Sequence, residues 1–440
     1  MLSCSNIIKD KSVGITIFEE QLLRVYFLSD NFELLRDLSE IGPIVIFTRP
    51  DLKGKIQEIL SLNGFDFVSV IELKEIKESS TIKLLLFMLK WIDPSRATIR
   101  SLHRERTSSR ITLIGFIIRK IINYVLSNQD LLKICLRKIY ILLNPKNYLK
   151  KSFFESPPKL DYLFVTSLTN IESDLKVAMY YRKMHVPVIA TVRSWDNLVT
   201  KGILAFSPDI FLSHSSYMTE TAISNHSLNP KTVRTIVTPC YQEKFKLPQT
   251  DRKNRKFKIA YGCIGPFLNP DEINFIRILC KMCQENSVSL TIIQHPKFQH
   301  NLRQINLDNI NVISFDYLDS TLTEYYSFLA MQEFIISSGT SLALDALFSN
   351  TPILALEFEI ETQNYWLSHL RSYDFLPHTK KLFDNSQIPR IENEKELFQY
   401  ISKQKSIILN NYFDFDISMI TGDKKANFNN EMLRCITDLT

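Results

Sequence analysis

Short apolar, β-prone runs alternate along this chain with longer runs whose apolar positions recur every three or four residues. Residues 21–27 (QLLRVYF) and 44–47 (IVIF) read as strands, with a helix at 31–41 between them. Ser29 and Asp30 precede that helix as cap residues. A helix at 52–62 and a strand at 67–71 continue the alternation, and residues 80–150 read as mostly helical. The pattern then resumes with strands at 162–166, 186–192, 210–214 and 235–238, and helices at 173–184 and 216–225. Strand–helix–strand alternation at this spacing predicts a parallel sheet with helical crossovers.

A polar, proline-containing stretch at 244–256 (KFKLPQTDRKNRK) breaks the series. A second series follows, with strands at 258–262, 289–294, 312–315, 334–337 and 352–356 and helices at 271–285, 321–329 and 341–348. The expected fold class is α/β, with two doubly wound, Rossmann-like domains facing a cleft. They are an N-terminal domain over 1–245 with a basic helical insert at about 80–150, a linker over 246–256, and a C-terminal domain over 257–440. Ligands of such sheets bind at the carboxyl ends of the strands.

Composition narrows the function without naming it. The chain has 440 residues, of which 45% are hydrophobic and 23% charged, as in folded globular proteins. Only 10 residues are Gly and no GxxxxGK[ST] occurs, which excludes a P-loop. The 7 cysteines form no framework, so reduced thiols are expected. Cys280 and Cys283 form one CxxC inside an apolar helical run, without further ligands at zinc spacing, and read as core residues. The N-terminus lacks a signal-peptide pattern, and no apolar run approaches the roughly 20 residues of a spanning helix. The expected location is cytoplasmic, with a peripheral place on the inner face of the membrane.

Charge is unevenly placed. Residues 96–151 carry 13 Lys and Arg against Glu105 and Asp130, a local +11 within a chain of +6. Arg119, Lys120, Lys133, Arg137 and Lys138 recur there at helical intervals among apolar residues. Contact with an anionic membrane surface and an ordinary helix with a solvated basic face account equally for this pattern. No nucleic-acid-reading motif is present, and no such partner is expected.

Three segments carry candidate chemistry. In 335–356 (IISSGTSLALDALFSNTPILAL) a strand ends in Ser337, Ser338, Gly339, Thr340 and Ser341 and a helix follows. Hydroxyls and helix N-terminal amides there suit a phosphate, and Asp345, four residues on, suits a ribose hydroxyl. A plain Ser or Thr cap explains the same pattern equally well. In 292–298 (IIQHPKF) a strand runs into His295 and Pro296; the proline ends the strand and sets the imidazole at the sheet edge, beside Lys297. In 191–202 (TVRSWDNLVTKG) Arg193, Ser194, Asp196, Asn197, Thr200 and Lys201 crowd around Trp195 after a strand. Asp196 is the candidate general base, with Arg193, Ser194, Asn197 and Lys201 toward acceptor binding or charge stabilisation; a helix entry capped by Ser194 or Asp196 is the alternative. Gly265, in YGCIGP after the first strand of the second series, lets backbone approach a phosphate or simply forms a turn. Asp414-Phe415-Asp416 is formally a DxD, without supporting context.

With these segments quoted, the chain resembles the GT-B-fold glycosyltransferases of bacterial surface-polysaccharide synthesis, and within them the group related to the CDP-glycerol glycerophosphotransferases. SWDNLVTKG is similar to the Trp-containing polar motif of that group's N-terminal domain, with Asp196 where some relatives carry a catalytic His. His295-Pro296, the Ser-rich turn and Pro352-Ile353 match further motifs. The His-Pro and Ser-Ser pairs also resemble bacterial sialyltransferases that use CMP-sugars. The resemblance implies a metal-independent transferase without cofactor. Its substrate is a nucleotide-activated donor of CMP/CDP or UDP type, and its acceptor a glycan or lipid-linked molecule. Donor contacts fall to Gly265, His295, Ser337, Ser338, Gly339, Thr340, Ser341 and Asp345, with Asp196 and His295 catalytic. A UDP-sugar 2-epimerase and a catalytically silent GT-B scaffold share the expected architecture.

Overall fold

The structure is a computed structural model and describes residues 10–27, 32–73, 80–92, 112–126, 130–143, 157–169, 172–237, 239, 258–266, 272–295, 299–303, 305, 310–314, 322–337, 341–357, 388–403, 422 and 427–439. The chain divides into two compact units. One comprises Met1–Pro94, Ile117–Glu243 and Ile417–Thr440, the other Ser95–Phe116 and Lys244–Asp416.

In the first unit the described elements are β1 (Val13–Ile17), α1 (Glu20–Tyr26), α2 (Glu33–Ile41), β2 (Ile44–Thr48), α3 (Pro50–Leu62), β3 (Ser69–Glu72) and α4 (Ser80–Trp91). After α5 (Leu113–Leu126), whose first residues group with the other unit, come α6 (Asp130–Leu143), β4 (Tyr162–Val165), α7 (Glu172–Lys183) and β5 (Val188–Ala190). Then follow α8 (Asn197–Thr200), β6 (Ile210–Ser213), α9 (Ser216–Ser224) and β7 (Val233–Thr235). The seven strands pair in parallel in the order β3-β2-β1-β4-β5-β6-β7. Strand order reverses direction between β1 and β4, the position at which doubly wound sheets bind ligands.

The second unit repeats the plan. Its described elements are β8 (Lys258–Gly262), α10 (Glu272–Glu285), β9 (Ser289–Gln294), β10 (Ile310–Ser314), α11 (Leu322–Ala330), β11 (Phe334–Ser337), α12 (Ser341–Phe348), β12 (Ile353–Leu356), β13 (Arg390–Ile391) and α13 (Glu394–Ile401). The sheet is parallel, in the order β10-β9-β8-β11-β12-β13, and its reversal lies between β8 and β11. Strands buried on both faces need near-continuous apolar sequence, and β2, β4, β6, β11 and β12 are buried at every position.

The α/β class and the two doubly wound sheets match the sequence expectation. Three features differ from it. Residues 21–27 are helical, because Leu22, Leu23, Tyr26 and Phe27 bury one helical face; the first strand is instead Val13–Ile17. The strand expected at 235–238 lies at Val233–Thr235, next to β6. The last helix, α14 (Phe428–Asp438), packs on the first unit rather than the second. Phe428 sits 5.9 Å from the Tyr26 ring and 6.1 Å from Phe164, so the C-terminal segment helps close the core of the first unit. The expected linker over 246–256, the cap residues Ser29 and Asp30, and Asp414–Asp416 fall outside the described residues.

The helical insert turns part of its basic charge inward. α4 packs on α6, and Leu85 and Leu89 of the one and Leu136 and Tyr140 of the other are buried. Lys133 and Arg137 of α6 are buried on the same side, where Arg137 Nε donates to the Leu204 carbonyl at 2.6 Å and Nη2 donates to that of His226. Among the described residues, no helix is long and apolar enough to cross a membrane.

Candidate functional site

The carboxyl edge of the first sheet carries several hydrogen-bonded polar groups. At the reversal point the Thr16 hydroxyl of β1 donates to Asp174 Oδ1 on α7, and the Thr166 amide donates to Thr16 Oγ1 at 3.2 Å. Asp174 is fully buried and its Oδ2 has no partner. Burial, and the nearby Glu19 to a lesser degree, push its carboxyl well above the usual range, although the Thr16 bond opposes this. A carboxyl so placed is held neutral. Two residues past β1, Glu19 accepts from Arg193 Nη1, which ties the loop after β1 to the loop after β5.

The segment after β5 is the one singled out in the sequence. Asp196 stands at the start of α8, yet its side chain makes no cap bond to the helix backbone. The Thr200 hydroxyl lies 2.9 Å from both Asp196 Oδ2 and the Asp196 backbone carbonyl, which share that one donor, and Asp196 Oδ1 accepts from Asn197 Nδ2 at 3.2 Å. Asn197 Oδ1 in turn accepts from Thr169 in the loop after β4, at 3.2 Å. Asp196 stays half-buried, while Asn197 and Trp195 are buried. Ser194 is half-buried and offers its carbonyl to the Asn197 amide; Lys201, also half-buried, closes α8. Arg193 keeps a buried Nε without a partner.

His214, at the end of β6, was missed by sequence reasoning. The Thr191 hydroxyl spends its hydrogen on the Leu212 carbonyl at 2.8 Å, so His214 Nε2 must be the donor to Thr191 Oγ1 at 2.9 Å. Burial pulls its pKa down to about 3, so the imidazole is neutral. Asp174 and His214 carry no local signal: each is a single polar residue in an apolar context, and only the sheet order brings them to one edge.

In the second unit Ser337 is buried at the end of β11, in register with Gly262 of β8. A Cβ on Gly262 would lie 2.1 Å from Leu342 Cδ2, so the missing side chain lets α12 approach the sheet at its reversal point. His295 follows β9 and is half-exposed. Asp345 accepts from the Tyr325 and Tyr326 hydroxyls at 3.0 and 2.8 Å, which fixes its carboxylate on α12. Ser338, Gly339 and Thr340 lie outside the described residues, as does the Ser341 side chain.

Gly265 takes a left-handed turn, with φ 87°. Its amide donates to Glu272 Oε2 at 3.0 Å and the Ile264 amide donates to Glu272 Oε1 at 2.9 Å. Glu272, buried at the start of α10, also accepts from the Tyr261 hydroxyl and from His300 Nε2 at 2.6 Å. The amides expected to approach a phosphate thus face a carboxylate of the protein itself. Glu272 and His300 were missed because they are 28 residues apart and meet only through the fold. Among the described residues no group of His, Cys, Asp or Glu could hold a metal ion. Cys280 and Cys283 are core residues of α10, with burial raising their thiols to about 11 and about 12.

No family model and no curated protein matches this chain. Solved structures do. A UDP-GlcNAc 2-epimerase of Methanocaldococcus jannaschii, in complex with UDP-GlcNAc and UDP, aligns at TM-score 0.50 and 11% identity, over 97% of this chain and 99% of its own. A glycosyltransferase of Rickettsia africae aligns at 0.47 and 9%, over 98% and 100%. A UDP-GlcNAc 2-epimerase of Neisseria meningitidis bound to UDP-GlcNAc aligns at 0.46 and 8%, over 97% and 100%. At such identities the likeness concerns the fold, which is GT-B: two parallel, doubly wound sheets of seven and six strands with helices.

Proposed function

We propose that the protein is a glycosyltransferase that moves a group from a nucleotide-activated donor to a glycan or lipid-linked acceptor. The observation that carries this is the Asp196 carboxylate at the carboxyl edge of the first sheet. Thr200 and Asn197 hold it from the side, and it is not used to cap α8. In this reading Asp196 takes the proton of the acceptor hydroxyl as it attacks. The Arg193 guanidinium, paired on one side with Glu19, and the Lys201 ammonium offset negative charge on the reactants. The second unit binds the nucleotide. The reading assigns His295, Ser337, Ser338, Gly339, Thr340, Ser341 and the amides at the α12 N-terminus to the leaving phosphate, and Asp345 to the ribose. Gly265 shapes the turn after β8, and its amide is held by Glu272.

A UDP-type donor is supported by the Methanocaldococcus jannaschii fold neighbour, which holds UDP-GlcNAc and UDP. A cytidine donor is what the resemblance to CDP-glycerol glycerophosphotransferases supports. Calorimetry with CMP, CDP, UDP, GDP and ADP decides between them, with His295→Ala as the control. One nucleotide is expected to bind, at least tenfold more weakly in the variant. Asp196→Asn keeps the size of the side chain and one of its two acceptor oxygens and removes the base, so turnover should fall by about 10²–10⁴-fold with donor affinity retained. A chelator should leave turnover unchanged. No nucleotide binding by the folded protein defeats the transferase reading. Conversion of UDP-GlcNAc in the absence of any acceptor replaces it with an epimerase.

A further inference from the structure

The inward polarity of α6 leaves an outward face of the opposite kind. Leu131, Ile134, Ile139 and Leu142 are exposed there, Leu142 by 79%. On α5, Ile117, Ile118, Ile121 and Tyr124 form one exposed face at helical spacing, with Tyr124 exposed by 87%. Soluble surfaces scatter such residues singly, whereas contiguous apolar faces mark interaction sites. Both helices attach to α4, α6 by packing and α5 through Arg119 stacked 5.0 Å over the Phe87 ring.

We infer that these faces of α5 and α6 form a docking surface for an anionic lipid bilayer, with the helices lying in the plane of the interface. The occupant follows from charge. The two helices contain one acidic residue, Asp130, whereas Lys83, Lys120 and Lys138 are exposed on α4, α5 and α6. Residues 96–151, which contain both helices, carry 13 basic against 2 acidic side chains, and of the basic ones Lys133 and Arg137 are buried and take no part in this surface. Exposed apolar side chains beside lysines, a solvent-facing tyrosine and almost no carboxylates are the chemistry of a helix at a headgroup boundary. Each helix has 14 residues, about 21 Å at the helical rise, too short to span. The inference does not depend on the transferase reading: it concerns a surface outside the sheet edges, and its assay needs neither donor nor acceptor.

The test is flotation of the full-length protein with vesicles of phosphatidylcholine alone and with phosphatidylglycerol added. Wild type should float with the anionic vesicles, less so at high salt. Ile118→Glu/Ile121→Glu/Leu131→Glu/Leu142→Glu should reduce the bound fraction at least tenfold with an unchanged circular dichroism spectrum. If that variant does not fold, the milder Leu131→Ser/Leu142→Ser replaces it and should reduce binding at least threefold. Three outcomes overturn the inference: no flotation of wild type, equal flotation of wild type and the folded variant, or equal binding to both vesicle types. A wild-type dimer by light scattering that the substitutions dissociate, without any effect on flotation, assigns the face to a second copy and overturns it too.

Discussion

His226 makes the first unit sensitive to acid in a way that can be worked out from its bonds. Its Nδ1 accepts from the Leu204 amide at 3.1 Å and its Nε2 donates to the Leu198 carbonyl at 2.7 Å, so only the neutral ring with its proton on Nε2 fits. Burial first of all, then the charges of Arg137 and Lys133, pull its pKa to about 3 against the Leu198 bond, which favours the charged form. The folded value lies below the unfolded 6.5, so the stabilisation is whole above about pH 6.5 and drains as pH falls toward 3. From pH 7.5 to 5.0 the loss comes to about 2 kcal/mol, a sizeable part of a typical total of about 5–15 kcal/mol. His214 titrates in the same sense, and Asp174 in the opposite one, so a bare pH profile does not isolate His226. The difference between wild type and His226→Asn does. Urea unfolding should give a penalty of about 3 kcal/mol near pH 7.5, from two lost buried bonds, and about 1 kcal/mol near pH 5, where wild type has already lost the rest. A penalty equal at the two pH values within about 0.5 kcal/mol would refute the neutral, doubly bonded ring.

Three further predictions follow from buried groups and one close approach. Glu272→Gln places an amide N–H against donors that now converge on a carboxylate. It should cost about 3–5 kcal/mol, read as a lowered urea midpoint. Asp174→Asn removes a carboxyl whose folded pKa is raised. Stability of wild type relative to the variant should therefore decline by about 1.4 kcal/mol per pH unit above the unfolded carboxylate range, until Asp174 itself ionises in the folded state; a flat difference refutes a neutral Asp174. Gly262→Ala forces the end of the Leu342 side chain on α12 into another rotamer and should cost about 1 kcal/mol, measured by thermal unfolding, with a parallel loss of nucleotide affinity if α12 holds the phosphate.

Strands buried on both faces were legible because they must be apolar throughout and end in turns, as in β4, β6, β11 and β12. β1 was not, because VGITI contains Gly14 and a polar Thr16, both of which serve the sheet's interior. QLLRVYF, with stronger β-formers, looked like the better strand. Its pattern is ambiguous over so short a window, and tertiary packing on the sheet makes it α1. The side on which a terminal helix docks is a non-local fact, and nothing in residues 428–438 announces that Phe428 will meet Tyr26 and Phe164. The basic insert shows the same limit. Periodicity placed Lys133 and Arg137 on a helix, but whether that stripe faces water or carbonyls of the core depends on Leu204 and His226, 67 and 89 residues beyond Arg137.

A residue's chemistry is best separated from its local structural duty by comparing it with a neighbour that plainly performs that duty. Ser215 enters α9 from β6 much as Asp196 enters α8 from β5. Ser215 has extended backbone, and its hydroxyl accepts from the Met218 amide at 3.2 Å, the bond of a helix cap. Asn393 and Asn427 cap α13 and α14 in the same manner. Asp196 has helical backbone and accepts instead from the side chains of Thr200 and Asn197. It holds an acceptor at a fixed point on the carboxyl edge of the sheet, braced through Asn197 to Thr169 on the next loop. The proposed role of general base would use an acceptor held in this way. The cap explanation, which the sequence left open for this residue, has no hydrogen bond to rest on.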